Sequence, residues 1–337
     1  MNVMPRRPPP DPGPGQAGPR PVPSYDGPTY CERSTVKPSP FNWMVAAYIF
    51  VGGVGGAAQI ISAIADLGGR GEAKSVVSPG RYVALAGTIL GPPLLIADLH
   101  TPSRWFNMLR IFRATSPMSI GSWILSAFGT FAGATAGADM AERAQVAPRL
   151  FRRLARVLQV PAALAGAGMT FYTGGLLTAT STPLWAAAPR LIASRFASAA
   201  MAAAAASLAL IQRRRGYAYS ARDLEDLAAL AVAVELGLGQ ASDRAYQRNG
   251  VASALHDSRF APAYRGAELL GTVLPLAFYG LDRLVFRGSG RLSRPASLAV
   301  IAGSAVLRQA ILYAGNESAR RPRDYLAFQA APPAGTE

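Results

Sequence analysis

Residues 41–67 read FNWMVAAYIFVGGVGGAAQIISAIADL and carry no charge before Asp66. A run of that length matches the roughly 20 helical residues needed to cross about 30 Å of hydrocarbon. Inside lipid every backbone N–H and C=O must be satisfied within its own segment, so the run is read as a helix. Seven more apolar runs follow, at 80–99, 117–138, 154–180, 191–211, 224–240, 264–286 and 296–314, the sixth the shortest. The 337 residues are 50% hydrophobic and 16% charged, against about 25% charged in a soluble domain. The strict alternation of a β-barrel is absent. The pattern predicts an all-α integral membrane protein of about eight transmembrane helices, packed as two four-helix bundles over 41–180 and 181–314.

The flanks differ from this body. Residues 1–40 hold 12 of the 27 prolines and no apolar core, and are read as a disordered or polyproline tail. Prolines rather than an apolar stretch follow Arg6-Arg7, so no secretory or twin-arginine leader is read. Residues 315–337 form a polar tail. Within the helices, Gly52 and Gly56 lie four apart on one face, a surface for close helix approach, and the alanines of 197–206 serve the same end. Pro92-Pro93 is predicted to kink or break the second helix.

The net charge of +15 comes almost wholly from arginine, Lys37 and Lys74 being the only lysines. These arginines fall mostly between apolar runs, where they orient helices and meet anionic lipid, which argues against nucleic-acid binding. Loops after odd-numbered runs carry 15 basic residues against 8 after even-numbered ones. The positive-inside rule then places both termini outside. Cys31 is the only cysteine, too few for an iron–sulfur cluster. His100 and His256, the only histidines, fall in loops rather than facing one another across a bundle, which argues against haem.

Ionisable groups within membrane runs cost roughly 2.5 kcal/mol or more each and need a reason. Asp98 follows Pro92-Pro93 at the end of the second run. It is read either as a proton acceptor beside a ligand pocket or as a carboxylate paired with Arg104 at the lipid interface. On the seventh run, Glu268, Thr272, Pro275, Tyr279 and Asp282 recur at spacings of four and three, one polar face on an apolar helix. Glu235, Glu268 and Arg308 are expected at one level and are read as an ion cluster, either structural or part of a proton route. Gln59, Ser62 and Asp66 share a face of the first helix, with Asp66 and Arg70 as an (i, i+4) pair or a proton entry point. No nucleophile–base pair, zinc spacing, phosphate loop or dinucleotide fingerprint is present. The chemistry narrows to a transporter, a carrier-linked redox subunit or a membrane anchor.

Three stretches carry a resemblance. Phe41 through Gly53 has an aromatic entry followed by a glycine pair. Leu94 through Asp98, Pro102, Arg104 and Asn107 leads to Ser116-Pro117-Met118-Ser119-Ile120-Gly121-Ser122-Trp123. Tyr172-Thr173-Gly174-Gly175-Leu176-Leu177 precedes Pro183-Leu184-Trp185. Together they resemble the NrfD/polysulfide reductase membrane-subunit family, departing from it at His100-Thr101, where Gly-Arg is commoner. The resemblance implies a quinone-interacting subunit in a bacterial cell membrane. It implies menaquinone or ubiquinone as bound substrate, a ferredoxin-like iron–sulfur partner and a molybdopterin subunit beyond it. On that footing Asp98 is the proton-exchanging residue. Asn42, His100 and Tyr172 hold quinone carbonyls, Trp43 forms a wall, and Glu235, Glu268, Arg308 and Asp66 are a possible proton route. The alternatives are a secondary transporter or ion-translocating subunit built on the Glu235/Glu268/Arg308 cluster, and a non-catalytic anchor.

Overall fold

The computed structural model describes residues 36–99, 101–256 and 259–330. Helix α1 spans Trp43–Gly68, α2 Val77–Ala97, α3 Pro117–Arg143 and α4 Pro148–Thr178; a short α5 (Pro183–Ala186) leads to α6 (Pro189–Arg214) and α7 (Ala218–Arg248). A turn of helix, α8 (Ser253–His256), precedes α9 (Ala261–Glu268). That helix runs through a π-helical turn, Leu269–Val273, into α10 (Leu274–Leu284), followed by α11 (Ser293–Arg320) and α12 (Pro322–Ala330). No strand occurs among the described residues.

Each of the eight apolar runs lies on a long helix, the seventh on α9 through α10. Among the described residues, five helical segments are long and apolar enough to cross a membrane: Trp43–Gly68, Gly71–Ala97, Pro148–Thr178, Pro189–Arg214 and Ser293–Arg320. The chain is therefore an all-α, multi-pass membrane protein. α3 and α7 have the length but more polar sequences, and the seventh segment is divided by its π-helical turn.

The helices outrun their apolar runs. α7 extends the expected 224–240 at both ends, because helix continues through arginines and acids where apolarity has stopped. α2 runs unbroken to Ala97 with Pro92 and Pro93 inside it, so the expected break is absent. The two prolines remove amide donors only in the final turns, and Gly91 lets that segment lie on Tyr48 of α1, its Cβ position 3.6 Å from the ring. Within the expected polar tail, residues 315–330 are largely helical. α11 continues to Arg320, and Asp324 on α12 accepts a hydrogen bond from Ser253 Oγ at 3.0 Å.

Lipid tails are as apolar as leucine, so helix association rests on close van der Waals packing. α1 packs on α2, α4, α6 and α11, and α6 on α1, α4, α7 and α11. The Gly52/Gly56 face meets α4: a Cβ at Gly56 would overlap the Gly166 carbonyl, and one at Gly52 would lie 2.9 Å from Met169 Cε. Gly55 faces Gly87 of α2, where a Cβ would lie 3.1 Å from the opposing Cα. Alanines 199, 200 and 202–206 of α6 are buried, the smallest side chains at the most crowded helix.

Candidate functional site

Because successive helices reverse direction, the start of α1, the end of α2, the start of α3 and the end of α4 share one layer. A cavity of about 40 Å³ lies there, bordered by Tyr48, Leu95, Asp98, Met108, Gly121 and Tyr172, among others. Asp98 is the C-cap of α2, partly exposed at the cavity edge. Tyr172 reaches across from α4 so that a Cβ on Gly121 of α3 would overlap its ring and hydroxyl. Glycine at 121 is thus what lets the tyrosine ring come up against α3. Val45, Leu95 and Leu176 make the remaining walls largely apolar.

Of the residues expected here, Asp98 and Tyr172 come together. Asn42 stands one position from Phe41, which borders the cavity, and its Oδ1 accepts a 2.7 Å hydrogen bond from the Met44 amide as the N-cap of α1. Trp43 is 56% exposed and does not line the cavity. Its place on the outer face of the first turn suits an interfacial anchor. His100 lies outside the described residues. Tyr48, Met108, Met118 and Ser122 also border the cavity and were not foreseen. The last two sit inside the Ser116–Trp123 stretch, at the start of α3 and facing the same layer, which is the signal that marks them.

The opposite end of α1–α4 is polar. Arg81, only 4% exposed, donates from Nη1 to Asp139 Oδ1 at 2.8 Å, from Nη2 to Asp66 Oδ2 at 3.1 Å and from Nε to Gln159 Oε1 at 2.6 Å. Tyr82 OH and Arg143 Nε donate to Asp139 Oδ2 at 2.8 and 2.9 Å. A cavity of about 480 Å³ opens on this network. The expected Asp66–Arg70 pair is not formed. Asp66 turns inward to Arg81, fifteen residues on, because that buried guanidinium needs a counter-ion that the exposed Arg70 does not.

In the second half, Glu235, Glu268 and Arg308 do not form the expected cluster by themselves. Glu268 accepts from Arg195 Nη2 at 2.9 Å, and Arg195 also donates to Tyr264 OH at 2.8 Å. Tyr264 in turn donates to Asp243 at 2.8 Å, whose Oδ1 lies 3.8 Å from His256 Nε2. Arg308 donates to the Ser304 and Phe196 carbonyls at 2.7 and 2.9 Å and lies over the Phe50 and Phe196 rings. Buried Glu235 lies in the field of both arginines. Arg195 was missed. A lone arginine inside an apolar run is the signal that marks it, since nothing costs more there without a partner. The polar face of the seventh segment does turn inward: Thr272, Tyr279 and Asp282 are buried. Asp282 fastens the turn before α11, accepting from the Gly290 and Leu292 amides at 3.0 and 2.9 Å.

Outside the spans, burial raises the carboxyl pKa of Asp324 above the usual range, opposed by the hydrogen bond from Ser253 and the nearby charge of Arg321. No group of three or more His, Cys, Asp or Glu among the described residues is arranged to hold a metal ion. The family model described as "Polysulphide reductase, NrfD" matches residues 33–318. No curated protein matches the chain.

Proposed function

The chain belongs to the polysulphide reductase NrfD family, and from that premise we propose that it is the quinone-interacting membrane subunit of an oxidoreductase complex. In this reading it exchanges electrons between menaquinone or ubiquinone and an iron–sulfur subunit, itself linked to a molybdopterin subunit, in a bacterial cell membrane with both termini outside. The supporting observation is the meeting of Asp98 and Tyr172 at one cavity with mainly apolar walls.

A quinone head is a flat apolar ring with two carbonyl acceptors, and its reduction requires electrons and protons together. The residues present suit it. Val45, Leu95 and Leu176 suit the ring face, the Tyr172 hydroxyl suits donation to a carbonyl, and Asp98 suits carrying a proton between a ring oxygen and the membrane surface. The quinone supplies the redox chemistry; the chain binds, orients and exchanges protons. At about 40 Å³ the cavity is far below the roughly 300 Å³ of a small-molecule site, so entry of a ring requires its rim to move. The rim is the 3₁₀ segment Pro102–Leu109, which carries Met108 and has no buried residue.

Asp98→Asn in the assembled complex is expected to lower quinone-linked turnover about 100-fold. Subunit content and partner activity with an artificial electron donor should not change. Unaltered quinone-linked turnover would remove Asp98 from the reaction.

A second reading, ion translocation or secondary transport, is favoured by the buried Arg195, Arg308 and Glu235, the half-buried Glu268 and the hydrogen-bonded path through Tyr264 toward His256. Ion or substrate uptake into proteoliposomes holding the isolated chain would support it. A plain anchor would yield no copurifying quinone and active Asp98 and Tyr172 variants.

A further inference from the structure

A cavity of about 670 Å³ opens between the start of α6 and the last turns of α7. It shares no residue with the Asp98 cavity. Arg190, Arg244 and Arg248 line it together with Ala188, Ala241 and Ala245, and no carboxylate does. Among the described residues, none of the three guanidiniums has a hydrogen-bond or ion-pair partner.

Three features make this arrangement short of an anion. Arg190 stands in the first turn of α6, where the helix dipole is positive and favours negative charge. Arg244 and Arg248 are four apart on one face of α7, a like-charge spacing that destabilises a helix. The carboxyl end of α7 tolerates its own two cations, but a third from the amino end of α6 shares the same space. Ala241 and Ala245, on that same face, are too small to fill it.

The position and size narrow the anion. α6 is one of the membrane-crossing helices and begins at Pro189, so the cavity lies where the chain leaves the hydrocarbon. Guanidinium forks bind phosphate oxygens in pairs, and basic pockets between helices at a membrane face take lipid headgroups by this chemistry. A bare phosphate would leave most of about 670 Å³ empty. A phosphodiester with its glycerol backbone, lying on the alanine floor, uses the volume. We infer that this cavity binds the phosphodiester headgroup of an acidic phospholipid through Arg190, Arg244 and Arg248.

The test titrates full-length protein in neutral detergent with phosphatidylglycerol, phosphatidylcholine or inorganic phosphate, reading thermal unfolding and bound lipid by native mass spectrometry. Phosphatidylglycerol should stay bound and raise the midpoint, and phosphatidylcholine should do neither. Arg244→Gln/Arg248→Gln should weaken phosphatidylglycerol binding on the order of 100-fold, about tenfold per arginine. Arg156→Gln, an exposed arginine at the other end of the molecule, should bind like the wild type. If the double variant does not fold, Arg190→Gln alone is read in the same titration. Equal binding of the two lipids, or undiminished phosphatidylglycerol binding by the variants, overturns the inference. A response to inorganic phosphate equal to that to phosphatidylglycerol overturns the lipid source in favour of a free anion. Capture of an acidic protein through these arginines, without a phosphatidylglycerol response, overturns it in favour of a protein interface.

Discussion

The two ends of the α1–α4 half place carboxylates in opposite circumstances. At one end Asp98 borders a cavity of about 40 Å³ whose walls are mostly apolar. At the other, Asp66 and Asp139 are tied to one buried arginine beside a cavity of about 480 Å³ lined by charged side chains. The same four helices thus carry one carboxylate at the edge of a mainly apolar cavity and two within a network of hydrogen-bonded charges. The difference lies in what each carboxylate meets across the helices.

The largest effect should come from removing the charge that holds the polar end together. Arg81→Met leaves the buried Asp139 and the partly buried Asp66 half-paired, and breaking a buried pair from one side costs about 3–5 kcal/mol. Thermal unfolding in detergent measures this, and a midpoint near that of the wild type would show that water in the cavity solvates the two acids well enough without Arg81. The next effect should come from the apolar end. Gly121→Ala drives a methyl group into Tyr172 and should cost about 1–3 kcal/mol as an overpacking change. Pairing it with Tyr172→Leu should recover most of that stability, which a double-mutant cycle would read as coupling. Additive losses would mean that the ring does not rest on residue 121.

The smallest effect tests whether partners, rather than burial, set the cost of a carboxylate. Among the described residues, Asp324 is as buried as Asp139 but accepts from one side chain where Asp139 has four hydrogen-bonding side chains. Burial raises its pKa, so the folded protein holds the Asp324 proton more tightly than the unfolded chain. The stability it contributes is present below the unfolded value, about pH 3.9, and is lost as pH rises through the folded value. Asp324→Asn should therefore gain in midpoint relative to the wild type as pH is raised from about 4 to about 7. A constant difference would place the missing partner of Asp324 in the fold.

Run length and the alternating direction of helices were enough to establish an all-α membrane protein, and to put Asp98 and Tyr172 at the same end of it. Hydropathy carries that information because lipid demands an apolar, internally hydrogen-bonded segment wherever the chain crosses. Partner choice was not legible. Arg81, at the very edge of the second run, counts among the loop charges that orient the helices, yet it lies inside α2 as the counter-ion of Asp66 and Asp139. Arg195 passes as one charge in an alanine-rich stretch, yet it takes Glu268 from the expected cluster. Trp43 and Asn42 sit at the right level, but the rotation of α1 turns the tryptophan outward and the cap occupies the asparagine. Level along the membrane normal follows from counting residues. Rotation about each helix axis is settled only by packing, through contacts such as Gly56 on Gly166 and Gly121 beneath Tyr172, and that rotation decides which buried charges meet.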